Sequence, residues 1–254
     1  MVVFMNKLYN KNELLFSIIF IVIYILGASL GDRLSDMLKI SKIFTFLFVF
    51  ALSLFLFFWI KKNNLLDKYG LCKPKFKAKA FLFYVPLLLL ISTNFWLGVK
   101  LNYNLTDTIF NVATMLCVGF VEEIIFRGFL FKSLEKDNTK TAIIISSVTF
   151  GLGHLLNLLS SGLENILPNV CQVFYSMAIG FLFVIIFYRG GSLIPCILTH
   201  SLVNAFSIFQ NTQAITPLIE ILMSIAIILV AIIYAIILLK TLKPKQTPNI
   251  NEEA

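Results

Sequence analysis

Apolar residues in this chain come in long unbroken runs, and charged residues fall almost wholly between them. That pattern differs from the half-polar stripe of a soluble amphipathic helix. A helix needs about 20 apolar residues to cross the hydrocarbon core of a bilayer. By that measure eight spans are predicted, roughly 14–31, 43–60, 80–99, 108–131, 141–158, 169–188, 191–209 and 216–239. The first resembles a signal peptide, with Lys7 and Lys11 ahead of an apolar region ending Gly27-Ala28-Ser29. Its length and the lack of an A-x-A site favour an uncleaved anchor. The expected fold class is an all-α polytopic membrane protein. It divides into a three-span region 1–107 with a basic loop 61–79, a core 108–209, and a last span with a short polar tail, 210–254. From Thr241 the chain carries Pro244, Pro248 and two closing glutamates, which reads as a short disordered end. There is no internal repeat and no second soluble domain.

Composition sharpens this reading. The 254 residues are 59% hydrophobic and 13% charged, and the mean hydropathy is +0.90. A soluble domain of this size could not bury that much apolar surface. The formal charge of +8 does not point to nucleic acid, because the basic residues sit in short loops between apolar runs. With both termini inside, the cytoplasmic segments hold sixteen Lys and Arg, seven of them between 61 and 79, while the external segments hold only Arg33, Lys39, Lys42 and Lys100. That asymmetry sets the expected orientation, both termini cytoplasmic. The loop 61–79 is then a topology anchor or a surface for anionic headgroups. Cys72, Cys117, Cys171 and Cys196 are scattered without a CxxC pair, so neither a disulfide framework nor a cysteine zinc site is indicated. Lysines outnumber arginines 18 to 3, and Ile, Phe and Asn are abundant, a compositional hint of an AT-rich bacterial genome.

Against this background a few polar residues stand out. Glu122, Glu123 and Arg127 fall inside an otherwise apolar run. A charge at the bilayer centre costs at least ~2.5–3.5 kcal/mol, so such residues are usually functional. Both histidines of the chain also fall in spans: His154 after Phe150-Gly-Leu-Gly, and His200 four residues before Asn204. At ~1.5 Å rise per residue, Glu122 lies ~15 Å from Lys132, His154 ~21 Å from Lys140 and His200 ~16 Å from Arg189. Three helices thus carry a titratable group to similar depth, and a polar chamber among spans 4, 5 and 7 is expected.

Local spacing suggests roles. Glu123 and Arg127, at i,i+4, can pair, which leaves Glu122 as the less compensated carboxylate and a plausible general base for water. His200 and Asn204, also at i,i+4, can present donors to one point, as an oxyanion requires. Gly119, Gly151 and Gly153 would let helices approach closely around these groups, and Pro195 would bend the helix that carries His200. Each feature has a plainer reading: a packing pair, an interhelical hydrogen bond, core packing for Phe150. Glu164, Glu220 and Asp107 sit near external span ends and read as solvated, Asp107 with Thr106 as a cap of span four.

Taken together, Glu122-Glu123-x-x-x-Arg127, Phe150-x-x-x-His154 and His200-x-x-x-Asn204 resemble the three-motif signature of the CPBP intramembrane proteases, also called the Abi or CAAX-protease family, which includes the type II CAAX prenyl endopeptidase. The resemblance covers roughly 108–209. It implies a protease with its site open to the cytoplasmic side. The position matching Glu122 would activate water with help from His154, His200 and Asn204 would stabilise the oxyanion, and Glu123 and Arg127 would orient the first glutamate. A metal such as zinc on Glu122, His154 and His200 and a metal-free glutamate mechanism are both open, because no HExxH pair is present. The expected partners are the bilayer and a membrane-associated peptide or protein substrate, with no nucleic acid, in a bacterial plasma membrane. Two other classes compete with an endopeptidase: a non-catalytic scaffold or bacteriocin-immunity factor, and a proton-coupled transporter, against which the sequence has no repeated pair of broken helices.

Overall fold

The computed structural model describes residues 2–157 and 166–242; the predicted tail, with Pro244 and Pro248, and Glu164 lie outside them. A short helix α1 (Val2–Lys11) leads into α2 (Glu13–Leu38), started by Asn12, whose side chain accepts the Leu15 amide at 2.8 Å. A turn with Lys39 and Lys42 in the left-handed region returns the chain as α3 (Ile43–Lys62). The next crossing is broken: an irregular turn Ala78–Tyr84, then α4 (Val85–Ser92) and a 3-10 turn Thr93–Phe95. Then follow α5 (Leu105–Glu123), a π-helical stretch Ile124–Phe131 and α6 (Lys132–Glu135), which form one continuous rod. The rest is α7 (Thr139–Gly153), ending in a 3-10 turn His154–Leu156, then α8 (Ile166–Gly190), α9 (Ile194–Ser207) and α10 (Pro217–Thr241).

Seven of the eight expected spans are long and apolar enough to cross a membrane among the described residues, and the chain is an integral multi-pass membrane protein. Their outward faces are covered with Leu, Ile and Phe, as lipid requires. The exception is the predicted span 191–209. Its helix α9 has 14 residues, ~21 Å at 1.5 Å per residue, short of the ~30 Å hydrocarbon thickness. It still connects the two ends of the bundle. At one end the Leu193 amide donates to the Gly70 carbonyl at 2.8 Å and the Lys75 amide to Gly190 at 2.9 Å. At the other, the Lys100 amide donates to Phe209 at 2.8 Å, Asn102 holds the carbonyls of Ile208 and Gln210, and Val99 bridges Gln210.

The end that holds the 61–79 loop also holds α1. Asn6 accepts from the Trp59 indole at 2.9 Å, and Glu13 takes Lys68 at 2.9 Å and Lys136 at 2.7 Å. The loop is therefore more than a charge anchor, because it is packed into the bundle. Tyr69 is buried against Phe129, and Gly70, at φ +66, lies so close to the start of α9 that a Cβ would meet the Leu193 amide nitrogen at 2.7 Å and the Phe187 ring at 2.4 Å. At the opposite end, Asp32 holds Lys42 and Thr45, and Asp107 accepts the Ser41 amide at 2.8 Å. The cap of α5 is Asn104, which accepts the Asp107 amide at 2.9 Å, so the expected Asp107 cap is corrected: that carboxylate instead ties the α2–α3 turn to α5.

The broken third crossing differs from the single helix expected over 80–99. Leu82, Phe83 and Tyr84 sit in the left-handed region. Irregular backbone at membrane depth persists only where protein satisfies it. Here the buried Tyr234 hydroxyl donates to the Phe81 carbonyl at 2.7 Å.

Candidate active site

The rod α5–α6 brings the polar cluster into the bundle. Glu123 ends its α-helical part, and all eight residues of the following π-helical stretch are buried. A π segment widens the turn and recurs at functional sites. Around it an aromatic cluster, Phe16, Trp59, Tyr69 and Phe129, packs on the lysine-rich side, and Ser146 on α7 donates to the Phe126 carbonyl at 2.9 Å.

Glu123 and Arg127 are both fully buried and paired at 2.9 Å, as their spacing predicts. Arg127 gives one terminal nitrogen to this bond; its Nε and Nη2 have no hydrogen-bond partner among the described residues. The guanidinium instead lies over the Phe150 ring at 4.0 Å, with the Phe183 ring at 5.7 Å, a desolvated cation–π arrangement. Gly180 leaves room for it, since a Cβ there would stand 3.1 Å from Nη2. Phe150 is thus more than core packing: it stacks on Arg127, meets the rings of His154 and His200 edge-on at 5.4 and 5.6 Å, and lines the cavity beside them.

His200 joins the two glutamates. Its Nδ1 lies 2.8 Å from Glu123 Oε1, and its Nε2 lies 3.4 Å from Glu122 Oε2. Glu123 is already committed to Arg127 and can only accept, which assigns the proton to Nδ1 and turns Nε2 toward Glu122. The other oxygen of Glu122 is held by a residue that sequence reasoning missed: the Tyr24 hydroxyl on α2 donates to Oε1 at 2.6 Å. A tyrosine in an apolar span carries no special signal, and nothing in the spacing of α2 relates it to α5, 98 positions on.

His154 and Asn204 stand apart from this chain of bonds. Both line a cavity of about 200 Å³ with His200, and neither side chain makes a hydrogen bond among the described residues. Glu122 lies behind His200, outside the lining. The cavity occupies the half of the bundle away from the lysine-rich loop, reaching Asn94, Gln210 and Glu220. The aromatic cluster fills the lysine-rich half, and the cavity lies away from it. One expectation is corrected here: Glu220 is not simply solvated, because it lines the far wall.

Three smaller expectations are also resolved. Gly119 does allow close approach: a Cβ would stand 2.5 Å from the Ser201 amide nitrogen, and the Ser201 hydroxyl donates to Leu116 at 2.9 Å, which locks α9 against α5. Gly151 does the same against α8, where a Cβ would stand 2.8 Å from the Val173 carbonyl, but Gly153 has nothing within 4 Å and serves no packing role. Pro195 does not bend α9; it occupies the first turn, where its missing amide hydrogen costs nothing.

A metal is tested by the donor set. Among the described residues no three His, Cys, Asp or Glu side chains converge as a ligand group. Glu122, His154 and His200 therefore do not come together as a zinc ligand set in this arrangement.

Residues 104–206 match the family model of type II CAAX prenyl endopeptidases described as Rce1-like. The match takes in α5 through nearly all of α9, and therefore every motif residue from Glu122 to Asn204. Tyr24 and Glu220 lie outside it. No curated protein and no solved structure matches the chain.

Proposed function

We propose that this chain, whose residues 104–206 belong to the Rce1-like CAAX-protease family, is an intramembrane endopeptidase that hydrolyses a peptide bond of a membrane-associated peptide or protein. The observation that carries the reading is the buried series Arg127–Glu123–His200–Glu122, whose His200 forms part of the wall of a cavity. Such a chain of carboxylates and imidazole is costly in an apolar interior, and packing alone gives no reason to aim it at a cavity.

Glu122 acts as the general base. It takes a proton from water while the water oxygen bonds to the scissile carbonyl carbon, and the carbonyl π electrons move onto oxygen. Tyr24 holds one oxygen of Glu122 in place, and the His200 ring lies beside the other. The distances favour a split of roles different from the one the resemblance implies. His200 is hydrogen-bonded to Glu123, lies beside Glu122 and serves the base, whereas His154 and Asn204, with uncommitted polar atoms facing the cavity, supply donors to the oxyanion. When the tetrahedral species collapses, the C–N bond breaks and the amine leaves with the proton that Glu122 took up. No metal enters these steps.

The lysine bias between the two ends supports an orientation with the lysine-rich end in the cytoplasm, and the excess of Lys over Arg with abundant Ile, Phe and Asn supports a bacterial plasma membrane. The test compares peptide termini in membranes and medium from cells expressing wild type or Glu122→Gln at equal level. Termini present only with wild type are expected and would name the substrate. A cellular phenotype that survives the substitution, with identical termini, would decide for a non-catalytic scaffold.

A further inference from the structure

The cavity beyond the histidines has an uneven charge. Among the described residues that line it there is no Lys, Arg or Asp, and apart from the two histidines Glu220 is the only ionisable acid or base other than the phenol of Tyr175. Glu220 is half-buried in the first turn of α10, and its carboxylate takes part in no ion pair among the described residues. Around it the far wall is neutral and polar: Asn94, Gln172, Ser207 and Gln210. A groove that ends in one unbalanced carboxylate attracts a cation and repels an anion, because a low-dielectric wall strengthens both effects.

Resting on the endopeptidase reading, we infer that this cavity is a specificity subsite in which Glu220 receives a cationic group of the substrate, a lysine or arginine side chain or a free amino terminus. It disfavours a chain whose terminal carboxylate would have to lie there. The distance follows from α9. His200 and Ser207 both line the cavity, and the seven-residue rise from one to the other spans ~10 Å at 1.5 Å per residue. An extended peptide covers that in about three residues at ~3.3 Å each. Glu220 lines the same cavity, so the cation belongs within about three positions of the bond that is cut.

The experiment uses the full chain in liposomes and a proteome-derived peptide library whose members carry internal lysines and arginines. Cleavage products are sequenced for wild type, Glu220→Gln, Glu220→Lys and Glu122→Gln. Among the described residues the Glu220 carboxylate has no ion pair, so its variants are expected to melt like wild type, and that is measured alongside. Wild-type cuts should show basic residues enriched severalfold within about three positions of the cut; Glu220→Gln should flatten the enrichment, and Glu220→Lys should replace it with Asp and Glu. Enrichment of cuts within about three positions of the peptides' own amino ends, without a basic side chain, would assign the cation to the terminus. Cuts that depend on Glu122 but have the same neighbours in all Glu220 variants would overturn the subsite and leave the protease reading intact. If no cut depends on Glu122, the protease reading fails and takes the subsite with it.

Discussion

At the scale of single residues, the site is a problem of keeping charge where lipid would expel it. Arg127 and Glu123 are wholly buried, and each makes the other tolerable. Removing one partner of such a pair costs ~3–5 kcal/mol, because the survivor is left charged and alone. Arg127→Ala should therefore lower the melting temperature sharply and abolish turnover, since Glu123 would also lose its hold on His200; normal melting would show that Glu123 is not held by this pair. Tyr24 tests a different point. Its hydroxyl donates to Glu122, and a hydrogen bond to a charged group is worth ~1.5–3 kcal/mol. Tyr24→Phe should cut kcat ~10-fold or more and leave KM unchanged, because the phenol positions the base and is not needed to bind substrate. An unchanged kcat would remove α2 from the machinery.

At the scale of elements, the question is how a 14-residue helix holds His200 in register. α9 is fixed at both ends by loops, and the tighter clamp is Gly70. Its φ of +66 and the 2.7 Å approach to the Leu193 nitrogen leave no room for a Cβ. Gly70→Ala should cost at least ~1–2 kcal/mol for the left-handed backbone alone, with a further loss of turnover as the start of α9 shifts. Wild-type turnover and melting would show that the clamp does not control the site. Such clamps were not legible in the sequence, because Gly70 and Leu193 are 123 positions apart and a loop of lysines reads first as topology. What was legible had a local cause. Glu123 and Arg127 pair as i,i+4 predicts, although the helix turns π at Ile124; the spacing argument survived because Glu123 is the last α-helical residue. The depth argument found His154 and His200 together because apolar length fixes depth in a bilayer. It could not assign their roles, which depend on side-chain directions around Phe150. Nor could it find Tyr24 or Glu220, which come to the site from opposite ends of the chain.

At the scale of the whole molecule, helix length and the charge pattern lead to different topologies. Seven long apolar helices, counted alone, would put the two termini on opposite sides of the membrane. The lysine distribution requires them on the same side. The structure contains the means to reconcile them: α9 is short, but its flanks are bonded to Gly70 at the lysine-rich end and to Lys100 and Asn102 at the other. On the lysine pattern, we propose an eighth passage in which loops cover the part of the thickness that helix does not. A short passage of this kind is tolerable because α5 covers one side of α9 and the cavity wall the other, so its irregular ends meet protein and not lipid. Green fluorescent protein fused after residue 254 and, separately, before residue 1 should fluoresce in both cases, because it folds only on the cytoplasmic side. Fluorescence at one terminus alone would mean that α9 returns to the side it left. It would also detach the His200 helix from its clamp on segment 94–102, and the cavity described between α9 and α10 would have to be rebuilt.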